Sequence, residues 1–326
     1  MRTIDWVDGA VELVDQTALP GRFHVIRIDT VDGLVDAIRR LAVRGAPALG
    51  VAGALGVALA ARDETDPLSA AARLRAARPT AVNLAWGVDE ALGHLDGGFE
   101  AVLGRALRIR DEDVEACRAM GERGADLVRE LTGRDRVRIM TVCNTGGLAA
   151  VERGTALGVV RTLHERGQLT EALALETRPL LQGSRLTAWE LGRMGAPYRL
   201  VADSAGPFLL ARGHADAVLI GADRIAADGD TANKIGSYAL ALGARRAGVP
   251  FVVVAPETTV DLATPTGAGI EIEERDPEEV LSVRGARLAP EGAHALNPAF
   301  DVTPHDLVTA IVTERRVIRP DRGERP

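Results

Sequence analysis

Three side chains stand out in this sequence as placed to move a proton or hold an anion: Cys143, Asp223 and Lys234. Cys143 follows the apolar run VRIMTV and precedes NTGG, where a strand is expected to turn into a helix. At a helix N-terminus the dipole and free N–H groups favour a thiolate, whereas a free cysteine elsewhere is usually a buried structural one. Asp223 follows AVLIGA, a run apolar enough to be buried on both faces. Desolvation raises the pKa of such a carboxyl and suits it to proton transfer; the competing role is a structural ion pair with Arg224 or Arg178. Lys234 follows Asn233 in the loop DGDTANK, expected to open a helix whose free N–H groups and lysine would seat a phosphate. Arg44-Gly45-Ala46-Pro47 and Arg78-Pro79-Thr80 also place an arginine just before an expected helix start. Together these segments describe an anion pocket. Cys117, in a helical stretch, reads as structural.

Composition sharpens the case for Lys234. Lysine and arginine together number 39, yet Lys234 is the sole lysine. Asparagine is confined to Asn83, Asn144, Asn233 and Asn297. This bias fits GC-rich coding, which drains both residues wherever a substitute serves. Arginine is a planar fork and lysine a compact, titratable point charge, so the surviving lysine points to a job its substitute cannot do.

Positioning these groups requires a frame, and the pattern of apolar runs supplies one. After a short β start at AVELVD and FHVIRI, residues 1–132 read as mostly helical. Thr30 or Asp32 can cap the first helix, and the small residues of PALGVAGALGVALAA let a second backbone or a ligand approach closely. Gly133-Arg134-Asp135 reads as a hinge to a second domain, residues 133–326. There, strands at VRIMTV, EALALE, YRLVAD, AVLIGAD and FVVVAP alternate with helices near 147–166, 184–195, 205–212 and 233–247. Such alternation specifies a Rossmann-like, doubly wound parallel sheet, and ligands bind such sheets at the carboxyl ends of the strands. Cys143, Glu176, Asp203 and Asp223 all fall at those ends. No GxGxxG follows a strand, which argues against a dinucleotide cofactor.

Other function classes are disfavoured by charge and spacing. The net charge of −7 is spread along the chain without a basic stripe, so a nucleic-acid partner is not expected. Neither the two cysteines nor the six histidines show metal-ligand spacing, so neither a metal site nor a disulfide framework is expected. The apolar run 46–61 is too short for a membrane span and the N-terminus is unlike a secretory signal; a soluble, cytoplasmic protein is expected.

The motifs VRGAPALGVAGALGV, RPTAVNLAWGVD, VCNTGGLAA, LETRPLLQGSRLTAWEL, GADRIAADGDTANKIGSYALAL and NPAFDVTP resemble those of the S-methyl-5-thioribose-1-phosphate isomerases. That superfamily includes the regulatory subunits of the translation-initiation exchange factor. The resemblance runs from about Asp5 to Ile318. It implies that Cys143 and Asp223 are a catalytic pair, and that Arg44, Gly45, Ala46, Arg78, Gln182, Asn233 and Lys234 bind substrate. It further implies a cofactor-free aldose–ketose isomerase of methionine salvage, acting on a sugar phosphate as a homodimer. Alternative substrates are 5-deoxyribose 1-phosphate and ribose 1,5-bisphosphate; a sugar- or nucleotide-sensing regulatory subunit is the non-catalytic alternative. Two departures stand out: Val142 where the family commonly has histidine, and a looser DSAGPFLL after the third strand.

Overall fold

The computed structural model describes residues 1–326 and opens with an antiparallel meander of β1 (Ile4–Val7), β2 (Ala10–Val14) and β3 (Val25–Ile28). β2 and β3 are the two strands expected from the sequence. β1 joins them through Asp8-Gly9, both at positive φ, as a right-twisted hairpin requires. Five helices follow: α1 (Val31–Arg39), α2 (Ala46–Asp63), α3 (Pro67–Arg75), α4 (Val82–Leu92) and α5 (Gly98–Thr132). Thr30 caps α1 by accepting the Gly33 N–H at 3.2 Å.

α2 is long and apolar enough by composition to cross a membrane, yet most of it is buried inside the protein as the central helix of the N-terminal core. Midway along it, its small residues admit a second backbone. A Cβ on Gly87 of α4 would lie 2.0 Å from the Gly50 carbonyl oxygen, so only glycine permits this approach. α5 packs into two cores. Val102, Ala106 and Ile109 join the N-terminal core, while Cys117, Met120 and Val128 lie against the sheet that follows.

Beyond the left-handed Gly133 that ends α5, the chain alternates as expected. In order come β4 (Val137–Thr141), α6 (Ala156–Glu165), β5 (Leu169–Leu175), α7 (Ala188–Met194), β6 (Tyr198–Val201), α8 (Gly206–Ala211) and β7 (Ala217–Ile220). β8 (Arg224–Ala226), β9 (Thr231–Lys234), α9 (Ser237–Ala247), β10 (Phe251–Val254) and β11 (Val260–Asp261) follow. The chain closes with α10 (Glu278–Leu281), β12 (Ser282–Val283), β13 (Ala286–Arg287), β14 (Phe300–Thr303), β15 (Ala310–Val312) and β16 (Val317–Ile318). The main sheet has the order β16-β15-β10-β7-β4-β5-β6, all parallel except β16. β4 and β5 run to one side in sequence order and β7, β10 and β15 to the other. The switch point therefore lies between β4 and β7, where such sheets open a crevice.

Three expectations need correction. The helix expected over 147–166 forms only from Ala156, after a single tight turn at Gly147–Ala149. No helix begins at Cys143, so a helix dipole is not available to its thiol. Asn233 and Lys234 do not open a helix. They end β9, which pairs with β14 (Asn233 opposite Asp301, Lys234 opposite Phe300) in a second sheet of order β11-β8-β9-β14. That pairing joins segments far apart in the chain, so local pattern carried no trace of it.

Candidate active site

The switch point sets Cys143 and Asp223 on either side of one crevice, Cys143 two residues past β4 and Asp223 three past β7. All nine residues singled out from the sequence line this cleft of about 740 Å³: Arg44, Gly45, Ala46, Arg78, Cys143, Gln182, Asp223, Asn233 and Lys234. The first four come from the helical N-terminal part and the rest from strand ends and β9.

Cys143 is 7% exposed and sits at φ +64°, a left-handed conformation that costs a non-glycine residue energy unless its neighbours hold it. They do. Its N–H donates to Thr177 Oγ1 at 2.8 Å, and its carbonyl accepts from Thr187 Oγ1 at 2.6 Å. Thr177, also at positive φ, is clamped in turn by Asp203, whose carboxylate accepts the Thr177 and Arg178 N–H groups, each at 2.7 Å. The acidic residue after β6 thus shapes the loop beside Cys143.

Asp223 is anchored through its backbone, whose N–H donates to the Ala232 carbonyl at 2.9 Å. Neither expected arginine partner reaches its carboxyl. Arg224 pairs with Asp261 at 3.6 Å, and Arg178 donates to the Val280 and Pro179 carbonyls. Burial pushes the Asp223 carboxyl above the ordinary aspartate range, the charges of Lys234, Arg78 and Arg44 pull it back, and that of Glu273 adds to the rise. The proton-donor role open to it in the sequence is the one this setting suits.

Lys234 is buried at 9% exposure. Its Nζ donates to the Ala299 carbonyl at 2.9 Å and lies 4.4 Å from the centre of the Phe300 ring. Burial lowers the pKa of its amine, opposed by its acidic neighbours Cys143 and Asp223. Cys143 thus shares the cleft with a lysine rather than with a helix terminus. Asn233 turns its amide to Ser237 Oγ at 2.8 Å, which fixes the turn into α9.

One feature favours an anion: α2 begins at the cleft without a side-chain cap, so its first N–H groups remain free. Gln182 Oε1 is buried without a partner and, as an acceptor, suits a hydroxyl donor of a ligand. Gly45, at φ +94°, carries the chain into α2 with its Cα pressed on Ala149; a Cβ there would fall 2.5 Å from the Ala149 carbonyl oxygen. Gly45→Ala is expected to destabilise the protein by more than about 1 kcal/mol, read as a lowered urea midpoint at unchanged m. A midpoint equal to that of the parent would contradict the close packing.

Supporting residues beyond the nine hold the site in place. Arg44 donates from Nη1 to Asn144 Oδ1 at 2.9 Å and from Nη2 to the Asn144 carbonyl at 2.7 Å. Asn144 donates in turn to the half-buried Glu190 at 2.8 Å, which also accepts the Gly147 N–H at 2.7 Å. The rarity of asparagine was the available signal for Asn144. Arg275, which lines the cleft, and Glu273, bonded to Arg78, lie in a segment with little regular structure and no flagging pattern. Asp228, Asp230 and His305 form the one cluster with metal-ligand proximity. None of them lines the cleft, and the Asp230 oxygens are already taken by His305 and the Gly267 N–H.

Residues 42–320 match the model of the initiation factor 2 subunit family. The chain is 52% identical, over 98% of its length, to a probable bifunctional methylthioribose-1-phosphate isomerase/methylthioribulose-1-phosphate dehydratase of Nocardia farcinica, of which it spans 60%. It is 49% identical to a 5-deoxyribose 1-phosphate isomerase of Moorella thermoacetica, covering 97% of this chain and 94% of that one. Among solved structures, a 5-methylthioribose 1-phosphate isomerase of Pyrococcus horikoshii matches with a TM-score of 0.89 at 41% identity, covering 98% of this chain and 92% of that one.

Proposed function

The chain belongs to the initiation factor 2 subunit family, and from that premise we propose that it is an aldose–ketose isomerase of methionine salvage, converting S-methyl-5-thio-α-D-ribose 1-phosphate to S-methyl-5-thio-D-ribulose 1-phosphate. The observation that carries this reading is the pairing of a half-buried carboxyl, Asp223, with a thiol, Cys143, across one cationic crevice. A regulatory subunit that only senses a ligand needs neither group.

A sugar locked as its 1-phosphate has no free carbonyl, so the ring must open before hydrogen can migrate. Asp223 gives its proton to the ring oxygen as the bond from C1 to that oxygen breaks. Hydrogen then moves from C2 to C1, and the C2 hydroxyl loses its proton to become the ketone. The proton count closes, with one delivered at the ring oxygen and one taken up near C2, where Cys143 is the candidate acceptor. Lys234, the free N–H groups at the start of α2 and the cleft arginines hold the phosphate, which anchors the reacting carbons without taking part in bond changes.

Beyond Asp223 the cleft continues into a second lobe lined by Leu49, Val82, Ile270 and Ile272, with Arg78, Arg224 and Glu271 also on its wall. The acid must meet the ring oxygen, which neighbours C4, so the C5 group enters this lobe. Its apolar side chains suit a methylthio or methyl group. The 5-deoxy sugar is thus the second reading, favoured by the same lobe and by the Moorella relative. We take residues 1–132 and 133–326 as two domains with the site between them, and the molecule as a cytoplasmic homodimer.

Turnover of the three candidate sugars tests this reading. The expected kcat/KM is highest for the methylthio sugar, lower for 5-deoxyribose 1-phosphate by up to about 100-fold, and lowest for ribose 1,5-bisphosphate. Preference for the bisphosphate would overturn the assignment of the lobe and of the substrate.

A further inference from the structure

Asp223 must hold a proton to open the ring, yet three cations surround it: Lys234 from β9, Arg78 from the connection between α3 and α4, and Arg44 ahead of α2. Left alone, they would favour the carboxylate and leave the site without its acid. The charge of Glu273 opposes them at Asp223, while Glu271 and Arg224 line the same lobe without bonding to Arg78. Glu273 Oε2 accepts from Arg78 Nη2 at 2.8 Å and from Thr80 Oγ1 at 3.3 Å, and its Oε1 accepts from Arg275 Nη1 at 3.0 Å. Arg275 is separately held by Glu279, which also accepts from Asn297. Glu273 and Arg78 are both largely buried, with side-chain exposures of 21% and 15%, so water screens their pairing weakly.

This bridge does more than join two parts of the chain. Arg78 lines both lobes of the cleft alongside Asp223, so its net charge is felt at the acid. With Glu273 beside it, Arg78 can still donate hydrogen bonds to a substrate, but its charge is largely cancelled.

We propose that Glu273 is a positioning residue for the isomerase reaction, keeping Asp223 in its acid form by neutralising Arg78 across the cleft. Glu273 transfers no proton and touches no reacting atom; it acts through Arg78. The inference rests on the isomerase reading and on Asp223 as its acid.

The test is the pH dependence of kcat for wild type, Glu273→Gln and Asp223→Asn on the methylthio sugar. Glutamine keeps the size of the side chain and one acceptor oxygen, so the bridge retains a hydrogen bond and loses its negative charge. In wild type, kcat is expected to fall as pH rises and Asp223 ionises. In Glu273→Gln this limb should move to lower pH, with the acid-side plateau within about twofold of the parent, so activity above the limb falls by about tenfold per unit of displacement. A superimposable profile, or a uniform loss at every pH, would overturn the proposal; the second outcome marks a structural role only. Retention of substantial activity by Asp223→Asn would instead defeat the underlying assignment, so the two failures are distinguishable. The infrared carbonyl band of a protonated carboxyl, assigned by its loss in Asp223→Asn, gives a second readout that should disappear at lower pH in Glu273→Gln.

Discussion

An Asp223→Asn protein is expected to fold like its parent and to lose about 10²- to 10⁴-fold in kcat. The amide matches the carboxyl in size but has no proton to deliver to the ring oxygen. Stability should move the other way. Burial raises the folded-state pKa of Asp223 above its unfolded value. The native chain therefore binds the extra proton, and the stabilisation this confers is complete below the ordinary aspartate range and lost as pH rises through the raised value. Asparagine, always neutral, removes that slope. The thermal midpoint of Asp223→Asn should equal or exceed the parent's at neutral and alkaline pH. A lowered midpoint there would mean that the ionised carboxyl stabilises the fold through its cations, contrary to the balance described above.

Lys234→Arg is the second large effect, and it should fall on binding. The amine sits between the Ala299 carbonyl at 2.9 Å and the Phe300 ring at 4.4 Å, a place shaped for a point charge. A guanidinium is wider, and its fork cannot keep both contacts while presenting a donor to the phosphate. A buried, charge-assisted hydrogen bond contributes about 1.5–3 kcal/mol, so KM should rise about 10- to 100-fold while kcat changes much less. Steady-state kinetics on the methylthio sugar decide the matter. An unchanged KM would remove Lys234 from the phosphate site, and an equal fall in kcat would place it in the chemistry instead.

Both residues were legible in the sequence, for different reasons. Asp223 follows from the strand-end rule, because an apolar run announces a buried strand and the next polar residue falls at its carboxyl end. Cys143 follows from the same rule. Lys234 stood out by its rarity, but its element was misassigned, because β9 exists only through its pairing with β14. The alternation of apolar runs specified the main sheet, since each strand buried on both faces is locally continuous. The second sheet was invisible: β8 and β11 are three and two residues long, below the length at which a pattern forms. The supporting contacts were invisible for a related reason. Glu190 matters because it meets Asn144, and Glu273 because it meets Arg78, and neither spacing repeats any local period. Val142, where the family commonly has histidine, is fully buried in the core under the sheet, so the departure adds packing and no titratable group beside Cys143.

The departure after β6 has a physical reading as well. DSAGPFLL keeps the one side chain the site uses, because Asp203 clamps the Thr177 and Arg178 N–H groups whatever follows it. The remainder forms a short turn and α8, which packs on α9 away from the crevice.

The central claim is that Cys143 and Asp223 act together on one sugar phosphate, and a single measurement addresses it most directly. Purified wild-type, Cys143→Ala and Asp223→Asn proteins are each incubated with S-methyl-5-thioribose 1-phosphate, and conversion to the ketose phosphate is followed by phosphorus NMR. The account predicts conversion by wild type alone, with each variant slower by about 10²-fold or more and folded by circular dichroism. Conversion by both variants at rates near wild type would contradict it.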